Sequence, residues 1–349
     1  MFTYFMMYFI SAYVAINNAN KVGRSSKTVW IFIGIVLTII IGLRHHVGGD
    51  WNNYLFNFLA LRGLPFDNVM SMKDPGYQFL SYIAYDWGLS IYFVNLISAI
   101  LFVSGLIALL RRQPNAWLGL AVAIPYLIIV VSMGYTRQGV AIGLVMWGIA
   151  YLDRGKFMYF IFFIFLAVTF HKSAILMIAF GMFQQNRGGI FKIAAIAVAG
   201  IGIWMSFVEE SSAKLWTNYV EAEMESEGAI IRALLNFLPA VLLLVYRKEW
   251  KAHFNDYGLW VMVALASIAS VGLVSFASTA VDRVALYFIP IQIVVFARLP
   301  FLAQRRISPK MTTILIVLFY ALVMYVWLVF SANSRYWIPY RNILFMDLL

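Results

Sequence analysis

From Phe2 to Phe330 the chain is a succession of apolar runs with only short polar breaks between them. A helix of roughly 20 apolar residues is what crosses a hydrocarbon core about 30 Å thick. Backbone immersed in lipid must hydrogen-bond within its own segment, so each run is expected to be a membrane helix. Composition agrees: 63% of the 349 residues are hydrophobic and 12% are charged, where a water-soluble domain carries about 25% charge. No long segment of ordinary polarity intervenes, so residues 1–349 read as a single transmembrane domain without a separate catalytic module. The run beginning at Met1 lacks the basic flank and small-residue cleavage site of a secretory signal and reads as a retained helix. Cysteine is absent, which excludes disulfides, thiolate nucleophiles and cysteine-based metal centres. The net charge of +11 is scattered over short loops instead of forming one basic stripe, so lipid and not nucleic acid is the expected partner.

Spans are expected near residues 2–16, 28–43, 91–110, 117–132, 139–152, 190–208, 229–246, 257–276, 281–297 and 312–330. The stretch 157–183 is too long for one crossing, and Phe170-His171-Lys172-Ser173 breaks it with groups that lipid does not tolerate. Basic loops mark the cytoplasmic side. If the chain turns at His171, sixteen of the 26 Lys and Arg share one side: Lys21, Arg24, Lys27, Arg111, Arg112, Arg154, Lys156, Arg187, Lys192, Arg247, Lys248, Lys251, Arg298, Arg305, Arg306 and Lys310. A single crossing would put the acidic segment from Glu209 to Glu227 on the cytoplasmic side instead. The expectation is an all-α polytopic protein of about twelve crossings with both termini outside, one pair forming a short hairpin at His171. The hairpin arms, about 14 and 11 residues, reach only some 21 and 17 Å at 1.5 Å per residue, so the turn is recessed and lined by water or protein. Residues 44–90 form an external loop with an interfacial helix over 76–89, and residues 209–228 an acidic external loop.

On that topology the outer face gathers polar residues at span ends. Directly after one span come Arg44, His45, His46, Gly48, Gly49, Asp50 and Tyr54, where two glycines permit a tight turn and Arg44 and Asp50 offer a fixed cation and a base. Asp74-Pro75-Gly76-Tyr77 makes a turn that starts the interfacial helix, and its first three residues read as structural. Arg137 opens a span rich in small residues; snorkelling toward headgroups is the plain alternative to function there. His171 places an imidazole in a recessed turn, where it can accept or donate a proton. Asp282-Arg283 opens another crossing with Tyr287 one turn on, and the segment from Asn333 to Leu349 reads as an interfacial aromatic anchor. His45 and His46 are adjacent instead of spaced along one helical face, so no zinc site is expected.

These residues resemble the EpsG-like group of Wzy-type polysaccharide polymerases. The matching pieces are Gly42-Leu43-Arg44 through Gly48, Asp50 and Tyr54; Asp74-Pro75-Gly76-Tyr77; Arg137 with Ala141; Phe170-His171-Lys172-Ser173-Ala174; and Asp282-Arg283 with Tyr287. Gly49 departs from the pattern, which has a small hydroxyl residue before the aspartate. The resemblance implies a GT-C-like membrane glycosyltransferase acting at the outer face of the bacterial cytoplasmic membrane. It implies polyprenyl-diphosphate-linked oligosaccharides as substrates, no cofactor or metal, and a chain-length regulator and a flippase as further partners. In that chemistry a sugar hydroxyl attacks the donor's anomeric carbon and undecaprenyl diphosphate leaves. Arg44, Arg137 and Arg283 are then the candidates for the diphosphate, since guanidinium groups stabilise the charge it develops. His171, ahead of Asp50, is the candidate proton acceptor, and His45, His46, Tyr54, Lys172, Asp282 and Tyr287 are candidates for contact with substrate. A lipid-linked glycan ligase would use the same donor chemistry. A transporter or flippase would be expected to pair broken helices in two inverted halves, and only one broken element is evident.

Overall fold

A computed structural model of the chain describes residues 1–20, 26–184, 229–275 and 278–348, with a few positions between 193 and 200. Among these residues there is no strand; extended backbone pairs only at a single bridge between Arg44 and Asn342. The helices are α1 (Phe2–Asn17), α2 (Lys27–Gly42), α3 (Trp51–Leu59), α4 (Phe66–Met70), α5 (Pro75–Asp86), α6 (Ile91–Leu110), α7 (Ala116–Ala123), α8 (Thr136–Leu152), α9 (Phe157–Phe170) and α10 (Leu176–Gln184). After these come α11 (Ala229–Val245), α12 (Arg247–His253), α13 (Tyr257–Leu273), α14 (Ser278–Ala285), α15 (Pro290–Leu302) and α16 (Pro309–Phe330). A wider π-helical stretch, Ile124–Ser132, continues α7. The starts follow local chemistry: Asn115 caps α7 by accepting from Leu118 N at 3.0 Å, and Ser308 caps α16 with Pro309 as its first residue.

Among the described residues, three helical stretches are long and apolar enough to cross a membrane: Ile91–Leu110, Val281–Leu302 and Pro309–Phe330. The pair α11 and α12, bent by 75°, meets the same measure together, and six shorter apolar helices of 10–17 residues fall at other expected spans. Apart from a few positions, the expected span 190–208 lies outside the described residues, as does the acidic loop 209–228. The bundle has lipid-type surfaces: Ile31, Phe32 and Ile35 of α2 and Leu315, Leu318 and Leu322 of α16 are all exposed, more contiguous apolar surface than water tolerates. The stretch Val281–Leu302 is 83% buried and Pro309–Phe330 only 33%, so the former is central and the latter peripheral. At the crossing of α6 and α8 a Cβ on Gly105 would lie 1.8 Å from the Gly143 carbonyl oxygen; only hydrogen side chains let these backbones approach so closely.

The chain reverses at His171. Phe160, eleven residues before it, packs against Gly181, ten after it, so that a Cβ on Gly181 would strike the ring at 2.2 Å. His171 itself is extended (φ −161°, ψ 115°) between α9 and the 3-10 turn Lys172–Ile175. The expected external loop 44–90 is built largely of helix, α3 to α5, and α5 takes the place of the expected interfacial helix.

Two expectations are corrected. Arg298 does not lie on a basic loop: it is 3% exposed inside α15, its Nη1 and Nη2 each 2.7 Å from a carboxylate oxygen of Asp256 and its Nε 2.9 Å from Gln113 Oε1. The C-terminal segment is more than an anchor, because it is laced to the loop after α2. His45 N donates to Arg341 O at 3.0 Å, Gly48 N to Tyr336 O at 2.9 Å and Ile343 N to Leu43 O at 2.9 Å. Trp337, 3% exposed, donates its indole N–H to Ile129 O at 2.8 Å.

Candidate functional site

The site lies where α2, α9 and the π-helical stretch end and α3, α5 and α8 begin. Arg44 is its foundation. The side chain is 1% exposed, and the guanidinium donates from Nη1 to Ile41 O (2.6 Å), from Nε to Val47 O (3.1 Å) and from Nη2 to Thr136 Oγ1 (2.9 Å). Those bonds occupy all three nitrogens and tie the end of α2 to the start of α8. Arg44 is therefore placed under the site as a brace. The loop it supports is bent by His46 (φ 49°) and Gly48 (φ 108°). Any side chain at Gly48 would meet Met133 O at 2.1 Å, so glycine is required on both counts. At Gly49 a Cβ would stand 3.7 Å from Trp337, an ordinary contact. His45 hydrogen-bonds Tyr92 through Nδ1 and packs on His46 and Trp51, to one side of the loop.

The loop delivers Asp50 to the head of α3, where its side chain does not cap the helix. Burial pushes the Asp50 carboxyl above the ordinary range, opposed by its hydrogen bond with Asn53 and by the nearby cations Arg137 and Arg283. One turn on, Tyr54 is 7% exposed; its hydroxyl accepts from Arg137 N at 3.3 Å, and the Arg137 guanidinium lies 5.7 Å from its ring centre. Asp74 stands in the left-handed region (φ 58°) ahead of Pro75, the first residue of α5. From there its Oδ2 meets Arg137 Nη1 at 2.7 Å, with Lys73 and Lys172 in electrostatic reach. Asp74, expected to be structural, is thus the partner that orients Arg137, and Tyr77 packs on Tyr54 with ring centres 5.5 Å apart.

The recessed turn brings in the rest. His171 Nδ1 and the Tyr287 hydroxyl are hydrogen-bonded at 3.1 Å, and Tyr287 is 1% exposed. Arg283, Arg137 and Lys172 all lie within electrostatic reach of the imidazole. The backbone that carries Arg283 is fixed from two sides: Gln138 Nε2 donates to Arg283 O at 2.7 Å and Asn236 Nδ2 to Ala285 O at 2.9 Å. Asn236 is itself held by Gln292 at 2.7 Å and Gln292 by the Tyr320 hydroxyl at 2.8 Å, a buried polar chain linking α11, α15 and α16. Asp282 pairs with Arg232.

One region thus unites Asp50, Tyr54, Asp74, Arg137, His171, Lys172, Arg283 and Tyr287, drawn from positions up to 237 apart in the chain. The family model for the EpsG family matches residues 27–342. The chain belongs to the EpsG family. No curated protein and no solved structure matches it.

In this EpsG-family chain the sequence reading missed Arg232, three residues inside the apolar helix α11, which pairs with Asp282 and lies near Tyr126 and Tyr135. A charge inside an apolar run was the signal that could have found it. Lys73 was the other omission, adjacent to Asp74 in sequence and, like Lys172, within its electrostatic reach. Among the described residues no three His, Asp or Glu side chains group as metal ligands. The assembled chemistry is several cations, among them Arg137 paired with Asp74 and Arg283 with its backbone held by Gln138, beside the Asp50 carboxylate and one imidazole able to take a proton.

Proposed function

We propose that this EpsG-family chain is a glycosyltransferase that polymerises a bacterial surface polysaccharide at the outer face of the cytoplasmic membrane. In this reading about twelve crossings in a GT-C-like arrangement hold the site outward. The non-reducing hydroxyl of a lipid-linked repeat unit attacks the anomeric carbon of the chain held on polyprenyl diphosphate. The new C–O bond forms as the sugar-phosphate bond breaks, undecaprenyl diphosphate departs with the bonding pair, and the hydroxyl proton passes to a protein base.

The observation that carries the reading is the meeting of Arg137, Arg283 and Lys172 with Asp50 and His171 at one end of the bundle. Fixed cations aimed at a developing diphosphate charge are worth far more inside a protein than in water. Arg137, oriented by Asp74, and Arg283, whose backbone carbonyl is held by Gln138, supply them. A proton gained by Asp50 removes a charge, whereas one gained by His171 adds a cation beside three others. Asp50 is therefore the base in the resting site, and His171 becomes competent once an anionic diphosphate offsets its neighbours. Tyr54, Tyr77 and Tyr287, all buried, back these groups from within the protein. In this reading a flippase delivers the repeat units and a chain-length regulator acts beside the polymerase.

The test is reconstitution of the purified chain with polyprenyl-diphosphate oligosaccharide, scored for elongation. Arg137→Ala and His171→Ala, present at normal level, are expected to abolish long polymer and leave short lipid-linked units accumulating. Unchanged chain length in both variants refutes the assignment.

A further inference from the structure

Far from the candidate site is a second basic pocket. A cavity of about 240 Å³ is lined by Ser104, Ile107, Ala108, Arg111, Arg112 and Arg154. Arg111 and Arg112 follow the last residue of α6, and Arg154 stands two residues past α8. Because α8 starts beside Arg137 and runs 17 residues, the pocket lies about 25 Å from the site at 1.5 Å per residue.

Three guanidinium groups meet there and one carboxylate offsets them. Asp153 pairs with Arg112, which leaves two positive charges in excess around the cavity. Arg111 Nε is buried and has no hydrogen-bond partner among the described residues, an unfavourable state for a charged donor. Ile107 and Ala108 add an apolar part to the lining. Beside the pocket runs a ladder of stacked rings: Trp147 on Phe163 (centres 5.1 Å apart), Phe163 on Tyr151 (5.5 Å) and Tyr151 on Tyr159 (5.0 Å). Arg154 lies over Tyr151 and Lys156 over Tyr159, at 5.7 and 5.4 Å from the ring centres. Aromatic rings interleaved with basic side chains at a helix end are what a membrane–water boundary collects.

We propose that this pocket binds the phosphate of an anionic phospholipid headgroup in the leaflet opposite the candidate site. Arginine forks match phosphate oxygens in pairs, and the two uncompensated positive charges around the cavity favour an anion there. The apolar part of the lining receives the start of the acyl region, and a basic pocket between helices at a membrane boundary is suited to such headgroups. The proposal requires a membrane-embedded chain and is independent of the polymerase reading, so either can fail alone.

The full chain, purified in neutral detergent, would be unfolded thermally while titrated with phosphatidylglycerol, phosphatidylcholine or inorganic phosphate at matched ionic strength. The comparison is with the double variant Arg111→Gln, Arg154→Gln, which leaves the Arg112–Asp153 pair in place. Phosphatidylglycerol is expected to raise the unfolding temperature of the parent saturably and phosphatidylcholine not to, with apparent affinity falling about tenfold or more in the variant. Equal shifts in both proteins, or equal shifts with both lipids, overturn the proposal; inorganic phosphate acting at the lipid's own concentration overturns the lipid as occupant. Native mass spectrometry of the parent needs no variant: preferential retention of phosphatidylglycerol supports the site, and indifference between the lipids overturns it.

Discussion

Replacing Arg44 by methionine separates a brace from a substrate ligand. Methionine keeps much of the length and removes three hydrogen bonds from a charged donor, to Ile41 O, Val47 O and Thr136 Oγ1. Each such bond is worth about 1.5–3 kcal/mol, a gross loss of about 4.5–9 kcal/mol. Taking a buried charge out of the protein returns several kcal/mol, which leaves a net destabilisation of about 2–4 kcal/mol. Against a total stability of about 5–15 kcal/mol the variant still folds, with its unfolding temperature lowered by about 4–16 °C. Arg44→Lys falls between, because one ammonium nitrogen cannot reach three acceptors arrayed around a planar fork. Thr136→Val removes one bond only and should cost about 1–2 kcal/mol, with a coupling to Arg44→Met of similar size in a double-mutant cycle. Thermal unfolding in detergent gives these numbers, and elongation assays at low temperature report whether the folded fraction works. The brace predicts falling stability with activity retained in what folds. A variant that unfolds at the parental temperature yet makes no polymer would refute the reasoning and return Arg44 to the substrate.

Three further outcomes follow from the same geometry. Asp74→Asn keeps the fold but loosens Arg137; a charge-assisted bond of about 1.5–3 kcal/mol, discounted because the Arg137 side chain is 34% exposed, corresponds to a fall of about tenfold in kcat/KM. Asp74→Glu should recover part of that loss, and parental kinetics for Asp74→Asn make the pair a bystander. Because burial raises the Asp50 carboxyl, activity should decline as pH falls along a limb displaced above the ordinary aspartate range of about 3.9. The same shift means that ionising Asp50 costs stability as pH rises through its folded value, so Asp50→Asn should erase the limb and slightly stabilise the protein above it; a limb that persists in Asp50→Asn rejects Asp50 as the base. At the other end of the bundle, Asp256→Asn leaves Arg298 as an uncompensated buried charge and should cost about 3–5 kcal/mol, while an unfolding temperature within a degree or two of the parent denies the pair its structural role.

What the sequence by itself determined was set by properties a short segment owns. Length and apolarity placed the helices, from Phe2–Asn17 to Pro309–Phe330, close to the expected spans. The polar break in 157–183 marked the reversal at His171, and Asp74-Pro75 marked the start of α5. Polar groups at span ends also singled out Arg137, Asp50, His171 and Arg283, because lipid leaves few other reasons to keep them. The tertiary structure alone decided what each charge does. Arg44 and Arg137 look alike in sequence, yet one is sealed by Thr136, 92 residues away, and the other, about one third exposed, turns to Asp74. Arg298 seemed a loop cation until Asp256 and Gln113 closed on it inside the bundle, and the segment after α16 became a strap only by meeting the loop after α2. Hydrophobic length is a local quantity, but the energy of a buried guanidinium is set by which acceptors and charges distant segments place around it, and that information exists only once the chain has packed.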